Sequence, residues 1–417
     1  MTVFEAKESV VRSYCRSFPV TFNRAKGSFL YSESGNQYID FLAGAGSLNY
    51  GHNNDAIKQK IKDYIDSDNI IHGLDLHTSA KAEFIQTFDE LILKPRDLQY
   101  KLQFCGPTGT NAVEAAIKIA RKTTGRRNVF AFMGAYHGMT LGALALTGNK
   151  YHRDPSFPVS DTTFMPYPHG FMKSFDTLAY MEAVLSDPSS GVDLPAAVIV
   201  ETVQAEGGVV VAPVEWLQGL RKLCDKFGIY LIIDDIQVGC YRSGDFFSFE
   251  RANIKPDMVV LSKSLGGYGL PVSLLCLTEE LDKNWLPGEH NGTFRGNQLA
   301  FVAATAALKF ADDNNLSSLV KSNERLIAEY IDTQISVLNP QLAVRGIGMI
   351  WALDCSAFAE ETTSAILNIC FANGLIVERA GRNDTAIKIM PPLTTESSVL
   401  MQGLDILRDA IKVVIGE

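Results

Sequence analysis

The segment after Cys105 combines small residues with the start of a helix, an arrangement that can bind phosphate. It reads Gly106-Pro107-Thr108-Gly109-Thr110-Asn111 and runs directly into AVEAAIKIARK. Backbone N–H groups at a helix N-terminus attract anions, and small residues let a phosphate approach them. Taken alone, the segment is more typical of an ordinary capped turn, because the glycine spacings of the P-loop and Rossmann motifs are both absent.

Three further segments place an aromatic ring, a carboxylate and an amine directly after apolar runs. These are Tyr136-His137, Asp234-Asp235 and Lys263. A buried carboxylate needs a partner, and a partly desolvated lysine can lose its proton and become a nucleophile. Each also has an ordinary explanation: packing for the ring, a salt bridge or helix cap for the carboxylate, and simple solvation for the lysine.

Together the four features match the needs of one cofactor, pyridoxal 5′-phosphate. This cofactor requires a phosphate cradle, an aromatic face, a carboxylate that keeps its ring nitrogen protonated and a lysine that forms a Schiff base. A nicotinamide cofactor is not favoured, because G-x-G-x-x-G follows none of the predicted strands. No metal site is predicted, since the seven cysteines are dispersed and include no C-x-x-C pair.

An α/β domain would bring these residues to one edge, because ligands of open α/β sheets lie outside the carboxyl ends of the strands. Apolar, β-branched runs alternate with helix-patterned stretches through the middle of the chain. Helices are predicted at Asn111 to Thr124 and Glu215 to Phe227. The predicted strands are Lys101 to Cys105, Asn128 to Met133, Ala196 to Glu201, Gly228 to Asp234, Met258 to Ser262 and Val272 to Leu277.

The two ends of the chain show different patterns from the middle. Phe29 to Tyr31 and Tyr38 to Phe41, separated by Ser34-Gly35, predict a small antiparallel meander. After Leu316 we expect a long helix to Leu338, then strands near Met349 to Leu353 and Ala386 to Ile389, and a closing helix from about Glu396. The predicted organisation is a large domain at 51–315 and a smaller α+β domain from residues 1–50 and 316–417.

From about Phe18 to Leu393 the chain resembles the class III aminotransferases of fold type I. Their signature contains an acidic pair followed by x-Gln and, some thirty residues later, a lysine; here Asp234 and Lys263 are 29 apart (263 − 234). The resemblance implies a large domain with a mostly parallel, seven-stranded sheet and pyridoxal phosphate as cofactor.

The resemblance also assigns a role to each matching residue. Asp234 would pair with the ring nitrogen, Gln237 would contact the ring hydroxyl, and Lys263 would carry the cofactor. Thr293 would reach the phosphate across a dimer interface, which implies at least a homodimer. The full set of cofactor residues is then Thr108, Gly109, Thr110, Tyr136, His137, Asp234, Gln237, Lys263 and Thr293, with Lys263 and Asp234 as the catalytic residues.

Several phrases are similar to the diaminobutyrate aminotransferases of ectoine biosynthesis, among them SYCRSFPV, GAGSLNYGHNN, DDIQVGC and PGEHNGTFRGN. Those enzymes move an amino group from glutamate to aspartate 4-semialdehyde, giving 2,4-diaminobutyrate and 2-oxoglutarate. Many class III enzymes have arginine at the positions of Met139 and Lys388, so carboxylate recognition must differ here. We expect Glu206 and Lys388 to form the switch that lets one pocket accept both substrates; an ordinary ion pair is the alternative.

Composition and net charge indicate which kinds of macromolecule the protein is expected to bind. The chain has 417 residues, 46% of them hydrophobic and 20% charged, with a net charge of −9 and no basic run. Nucleic acid and anionic membrane are therefore not expected as partners. The N-terminus lacks the pattern of a secretory signal, and the seven cysteines are odd in number and dispersed along the chain. Both observations favour a cytoplasmic location.

The sequence leaves three alternative functions open. The chain could be another ω-aminotransferase, acting on ornithine, on 4-aminobutyrate, or on diaminobutyrate for a siderophore or peptide pathway. It could be an aminomutase or decarboxylase that uses the same cofactor. It could also be a non-catalytic protein of this fold, although an intact Lys263, Asp234 and Gln237 argue against that reading.

Overall fold

Strands covered by helices form the centre of the molecule. The computed structural model describes residues 2–168 and 175–416. The strands are β1 Phe22–Lys26, β2 Phe29–Ser32, β3 Gln37–Asp40, β4 Tyr100–Phe104, β5 Val129–Phe132, β6 Thr162–Met165, β7 Ala197–Val200, β8 Val203–Gln204, β9 Val210–Val211, β10 Tyr230–Asp234, β11 Met258–Leu261, β12 Leu274–Thr278, β13 Ala343–Ile347, β14 Ile350–Asp354, β15 Leu375–Ile376, β16 Glu378–Ala380 and β17 Ala386–Ile389. The helices are α1 Val3–Lys7, α2 Tyr14–Ser17, α3 Ala43–Gly46, α4 Asp55–Asp66, α5 Ser79–Phe88, α6 Gly109–Thr124, α7 Leu141–Ala145, α8 Thr177–Ser186, α9 Val214–Phe227, α10 Glu279–Asp282, α11 Gln298–Asp313, α12 Leu316–Tyr330, α13 Thr362–Ala372 and α14 Ser397–Ile415.

The central sheet contains seven strands in the order β4-β12-β11-β10-β7-β5-β6. Neighbouring strands are parallel except at β12, which runs antiparallel to both β4 and β11. Every residue of β5, β7 and β11 is buried, as expected for strands covered on both faces. The predicted α/β class with a large, mostly parallel sheet is confirmed.

Amphipathic helices supply the cover. Helix α9 buries Trp216, Leu217 and Leu220 against the sheet, and α6 buries a small-residue face that includes Ala112 and Ala116. Burying such apolar stripes is the main contribution to the stability of this layered arrangement. Crossover helices bring the chain back to the edge of the sheet at which each parallel strand begins. The parallel strands therefore all have their carboxyl ends at the opposite edge.

Two smaller sheets are built from the ends of the chain. β1, β2 and β3 form an antiparallel meander, and β15 from the C-terminal part adds to it parallel to β3. β13, β14, β17 and β16 form a separate antiparallel sheet in that order. The ends of the chain therefore share one sheet, while the predicted domain boundaries near residues 50 and 315 stay a prediction.

Most predicted elements occur within a residue or two of their expected positions. The long helix after Leu316 is α12 followed by π and 3₁₀ turns that end at Leu338. Sequence reasoning missed the strands β1, β6, β13, β15 and β16 and the β8–β9 hairpin, and it did not foresee the reversed direction of β12. Among the described residues, no helix is both long and apolar enough to cross a membrane.

Candidate active site

A cavity of about 250 Å³ lies at the edge of the sheet where the parallel strands end. Segments that follow β4, β5, β7, β10 and β11 all contribute to its wall. Sequence reasoning therefore looked at the correct edge of the sheet. The lining residues are Gly109, Thr110, Tyr136, His137, Gly138, Met139, Glu201, Val203, Glu206, Asp234, Ile236, Gln237, Val238 and Lys263.

Asp234 ends β10 and is held in place by two hydrogen bonds. Its Oδ2 lies 2.7 Å from His137 Nδ1, and its Oδ1 accepts the Ile236 N–H at 3.2 Å. Both side chains are almost fully buried, with 0% of His137 and 5% of Asp234 exposed. His137 Nε2 is buried without a hydrogen-bond partner among the described residues. The pair thus presents a fixed carboxylate to the cavity, as a protonated ring nitrogen requires.

The neighbouring carboxylate, Asp235, points away from the cavity into the protein. Its Oδ2 accepts the Ser248 N–H at 2.9 Å, while Oδ1 has no partner among the described residues. Burial raises the pKa of Asp235 to about 7, and the charge of Asp234 adds to that rise. Of the acidic pair, only Asp234 is therefore available to a ligand.

Lys263 begins a 3₁₀ turn directly after β11 and lines the cavity. Its φ of 47° lies in the left-handed region, which side-chain-bearing residues adopt at a cost and mostly at functional sites. The turn is fixed by Ser264, whose hydroxyl donates to the Gly46 carbonyl at 2.7 Å and accepts the Asn49 N–H at 3.1 Å. Burial lowers the pKa of the Lys263 ammonium, which favours the neutral, nucleophilic amine.

The N-terminus of α6 faces the same cavity. The N-cap residue Thr108 makes no side-chain cap, so the first N–H groups of the helix keep their capacity for an anion. Thr110 Oγ1 is 2.7 Å from Thr140 Oγ1. Gly138 packs directly on Thr110, and a Cβ at that glycine would come within 2.4 Å of Thr110 Oγ1. The cradle therefore depends on a glycine opposite the helix start.

Glu206 and Lys388 are in contact, as the switch hypothesis requires. Lys388 Nζ is 2.7 Å from Glu206 Oε1, and Gln237 Nε2 donates to the same oxygen at 3.0 Å. Lys388 is fully buried behind Glu206, which lines the cavity and is 30% exposed. Burial opposes ionisation of Glu206, but the nearby Lys388 and Lys263 charges outweigh it and lower the pKa of Glu206 to about 2.

Sequence reasoning missed two buried glutamates. Glu201 lines the cavity, and its Oε2 accepts the Tyr136 N–H at 3.0 Å. Burial and the Asp234 charge raise the pKa of Glu201 well above its usual value. The strand-end rule could have found Glu201, since it follows β7. Glu378, whose Oε1 is 2.9 Å from Lys388 Nζ, had no comparable signal.

Three predicted site residues do not line the cavity. Thr108 is the exposed N-cap of α6, and Thr293 is exposed on a separate loop. Lys388 lies behind the cavity wall, in contact with the lining residue Glu206. The Thr293 loop nevertheless lies beside the cradle, because a Cβ at Gly292 would be 3.7 Å from the Gly106 Cα. Met139 lines the cavity.

Behind the site, Arg242 ties three parts of the chain together. Its Nη1 donates to the carbonyl oxygens of Met349 and Pro391, and its Nη2 donates to Asn49 Oδ1 at 2.6 Å. The side chain is fully buried, and burial lowers the pKa of Arg242 to about 9. Asn49 also binds the Lys263 turn through Ser264, so this cluster supports the lysine.

Known proteins resemble the chain over its whole length. A family model described as aminotransferase class-III matches residues 11–411. An uncharacterised aminotransferase of Sinorhizobium fredii is 53% identical over 98% of this chain and 91% of its own length. A diaminobutyrate–2-oxoglutarate transaminase of Wolinella succinogenes is 51% identical over 100% of this chain and 97% of its own.

The fold agrees with these relationships. The solved structure of the ornithine aminotransferase from Toxoplasma gondii matches with a TM-score of 0.85 at 23% identity, covering 99% of this chain and 93% of that one. At this identity the likeness shows a common fold. Together with the family match and the relatives near 50% identity, it establishes that the chain belongs to the class III aminotransferases.

Proposed function

We propose that the protein is a pyridoxal phosphate-dependent aminotransferase that moves the amino group of L-glutamate to L-aspartate 4-semialdehyde. The products are L-2,4-diaminobutyrate and 2-oxoglutarate. The observation that carries this proposal is the near 50% identity, over almost the full chain, to relatives named diaminobutyrate–2-oxoglutarate transaminase. The chemistry of the cavity is consistent with it.

The residues present fit the cofactor. Asp234 offers a fixed carboxylate for the ring nitrogen, Tyr136 and Val238 offer walls for the ring, and the α6 N-terminus with Thr110 offers N–H groups for the phosphate. Lys263 offers the amine that would hold the cofactor. When bound, pyridoxal phosphate supplies an electron sink for the bond that breaks at the substrate carbon.

Lys263 is the group that would move the proton. Lys263 lines the cavity, and the lowered pKa of its ammonium favours an amine that accepts a proton from the substrate carbon and later returns it. Asp234, buried and held by His137, keeps its carboxylate at the cavity wall. The left-handed backbone at Lys263 fixes the direction from which the amine approaches.

One cavity must accept a reacting α-amine beside a carboxylate and also a terminal amine whose carboxylate is further away. We infer that Glu206 and Lys388 resolve this conflict. With Glu206 on Lys388 the lysine charge is masked, and if Glu206 moves aside Lys388 can bind a substrate carboxylate. A lysine offers a point charge, whereas arginine can form two parallel hydrogen bonds to a carboxylate. Lys388 therefore binds the substrate carboxylate with less directional preference.

The proposal also covers the oligomeric state, domain division, cellular compartment and pathway of the enzyme. We propose at least a homodimer, in which Thr293 reaches the partner's cofactor phosphate, and the domain division at residues 50 and 315. The seven cysteines are all free, which supports a reducing compartment such as the cytoplasm. Ectoine biosynthesis is the proposed pathway.

The test is the absorbance spectrum of purified protein with pyridoxal phosphate, before and after addition of an amine. L-2,4-Diaminobutyrate should remove the long-wavelength band of the bound cofactor, and ornithine or 4-aminobutyrate at the same concentration should do so less effectively. Preference for another amine would contradict the substrate assignment, and no band at all would contradict the cofactor assignment.

Two variants test the assigned roles. Lys263→Ala should abolish turnover, whereas the exposed Lys309→Ala serves as a matched control. Lys388→Ala should raise the KM for both glutamate and 2-oxoglutarate. An unchanged KM for both would refute the proposed switch.

A further inference from the structure

Lys388 is bound by a second carboxylate, that of Glu378, in addition to Glu206. Glu378 on β16 and Lys388 on β17 are direct cross-strand partners in the antiparallel register. Lys388 Nζ lies 2.9 Å from Glu378 Oε1, 2.7 Å from Glu206 Oε1 and 3.5 Å from Gln237 Oε1. Two acidic side chains thus surround one ammonium group.

The two carboxylates differ in their freedom to move. Glu206 lies in the loop between β8 and β9, lines the cavity and is 30% exposed. Glu378 is part of a paired strand, and only 7% of its side chain is exposed. If a substrate displaces Glu206, Lys388 therefore still keeps Glu378 as a counterion.

This arrangement sets the charge behind the cavity. Glu206, Glu378 and Lys388 together carry −1 when all are ionised, and Glu378 with Lys388 alone carries zero. Burial and the Glu206 charge raise the pKa of Glu378, so the departure of Glu206 favours the ionised form of Glu378 beside Lys388. Without Glu378, a displaced Glu206 would leave an unmasked buried ammonium group facing the substrate. Such a charge attracts dicarboxylates and repels substrates with an extra amine.

We propose that Glu378 is a specificity-determining positioning residue, whose fixed charge offsets Lys388 and biases the cavity toward a diamine substrate and away from dicarboxylates. This inference rests on the proposed function. Glu378 acts through Lys388 and does not itself line the cavity.

The test compares Glu378→Gln with Glu378→Asp, which keeps the charge, and with Glu360→Gln at an exposed position as the matched control. Glutarate, a dicarboxylate that has no amine or keto group, is titrated into each holoenzyme by calorimetry. Glu378→Gln should bind glutarate about fivefold more tightly, as expected for removing one negative charge near the site. The KM for diaminobutyrate should rise by a similar factor while kcat stays within about twofold.

Glu378→Asp and Glu360→Gln should stay near wild type in both measurements. Unchanged or weaker glutarate binding in folded Glu378→Gln would overturn the proposal. If that variant does not fold, Glu378→Ala, which leaves room for water beside Lys388, provides the same comparison. Failure of the wild-type enzyme to use diaminobutyrate would refute the proposed function alone, because glutarate binding does not depend on that substrate.

Discussion

Replacing Asp235 by asparagine should make the protein more stable at neutral and alkaline pH. Asp235 is 1% exposed, and one of its carboxylate oxygens has no partner among the described residues. Asparagine Oδ1 can still accept the Ser248 N–H that Asp235 Oδ2 accepts at 2.9 Å. The substitution therefore keeps the hydrogen bond and removes only a charge that is costly to bury.

The size of the effect follows from the pKa of Asp235. Burial raises this pKa to about 7 from 3.8, so between these values the folded protein holds a proton that the unfolded chain releases. The free energy of unfolding then falls as pH rises through this window, by at most about 4 kcal/mol, and stays low above pH 7. For a chain of 417 residues the unfolding entropy is near 0.9 kcal/mol/K, so a loss of about 4 kcal/mol in the free energy of unfolding lowers the Tm by about 4 °C.

The assay is thermal unfolding of Asp235→Asn and wild type at one scan rate, with saturating cofactor, from about pH 5 to pH 8. The Tm of the variant should exceed that of the wild type by an amount that grows as pH rises, reaching about 4 °C near pH 8. The exposed Asp313→Asn is the control and should show no pH-dependent gain. A Tm difference between Asp235→Asn and wild type that is independent of pH would refute the reasoning, because Asp235 would then be ionised in the folded state throughout.

Three further substitutions test other parts of the site. Gly138→Ala should weaken cofactor binding by about tenfold or more in a fluorescence titration, because its φ is 127° and the new Cβ would clash with Thr110 Oγ1 at 2.4 Å. Asp234→Asn should lower kcat by about 10²–10⁴-fold in the coupled glutamate assay without unfolding the protein, since it removes the charge and keeps the shape; a kcat near wild type would contradict its role. Arg242→Leu should lower the free energy of unfolding by about 3–5 kcal/mol in guanidinium chloride, because the carbonyl acceptors of a fully buried side chain lose their donors, and a change below about 1 kcal/mol would contradict this.

The sequence was most informative where chemistry follows directly from position along a strand. Tyr136, Asp234 and Lys263 each follow an apolar run, and parallel strands bring their ends to one edge whatever the details of packing. Their convergence on one cavity was therefore predictable. The same rule applied to the end of β7 would also have identified Glu201.

Other features depend on register and direction, which the sequence does not display. Glu378 meets Lys388 because β16 and β17 pair with those two residues opposite each other, and a shift by one residue would turn Glu378 to the other face of the sheet. The direction of β12 was equally hidden, since an apolar run looks the same in a parallel or an antiparallel strand.

The cluster around Arg242 also has a consequence for the order of events during synthesis. Its partners are Asn49, Met349 and Pro391, so the guanidinium group cannot obtain all its acceptors until the ribosome has passed Pro391. Asn49 also holds the turn that carries Lys263. A nascent chain can thus complete its central sheet early, whereas the Arg242 contacts that brace Asn49, and through it the Lys263 turn, form only after the C-terminal strands have been translated.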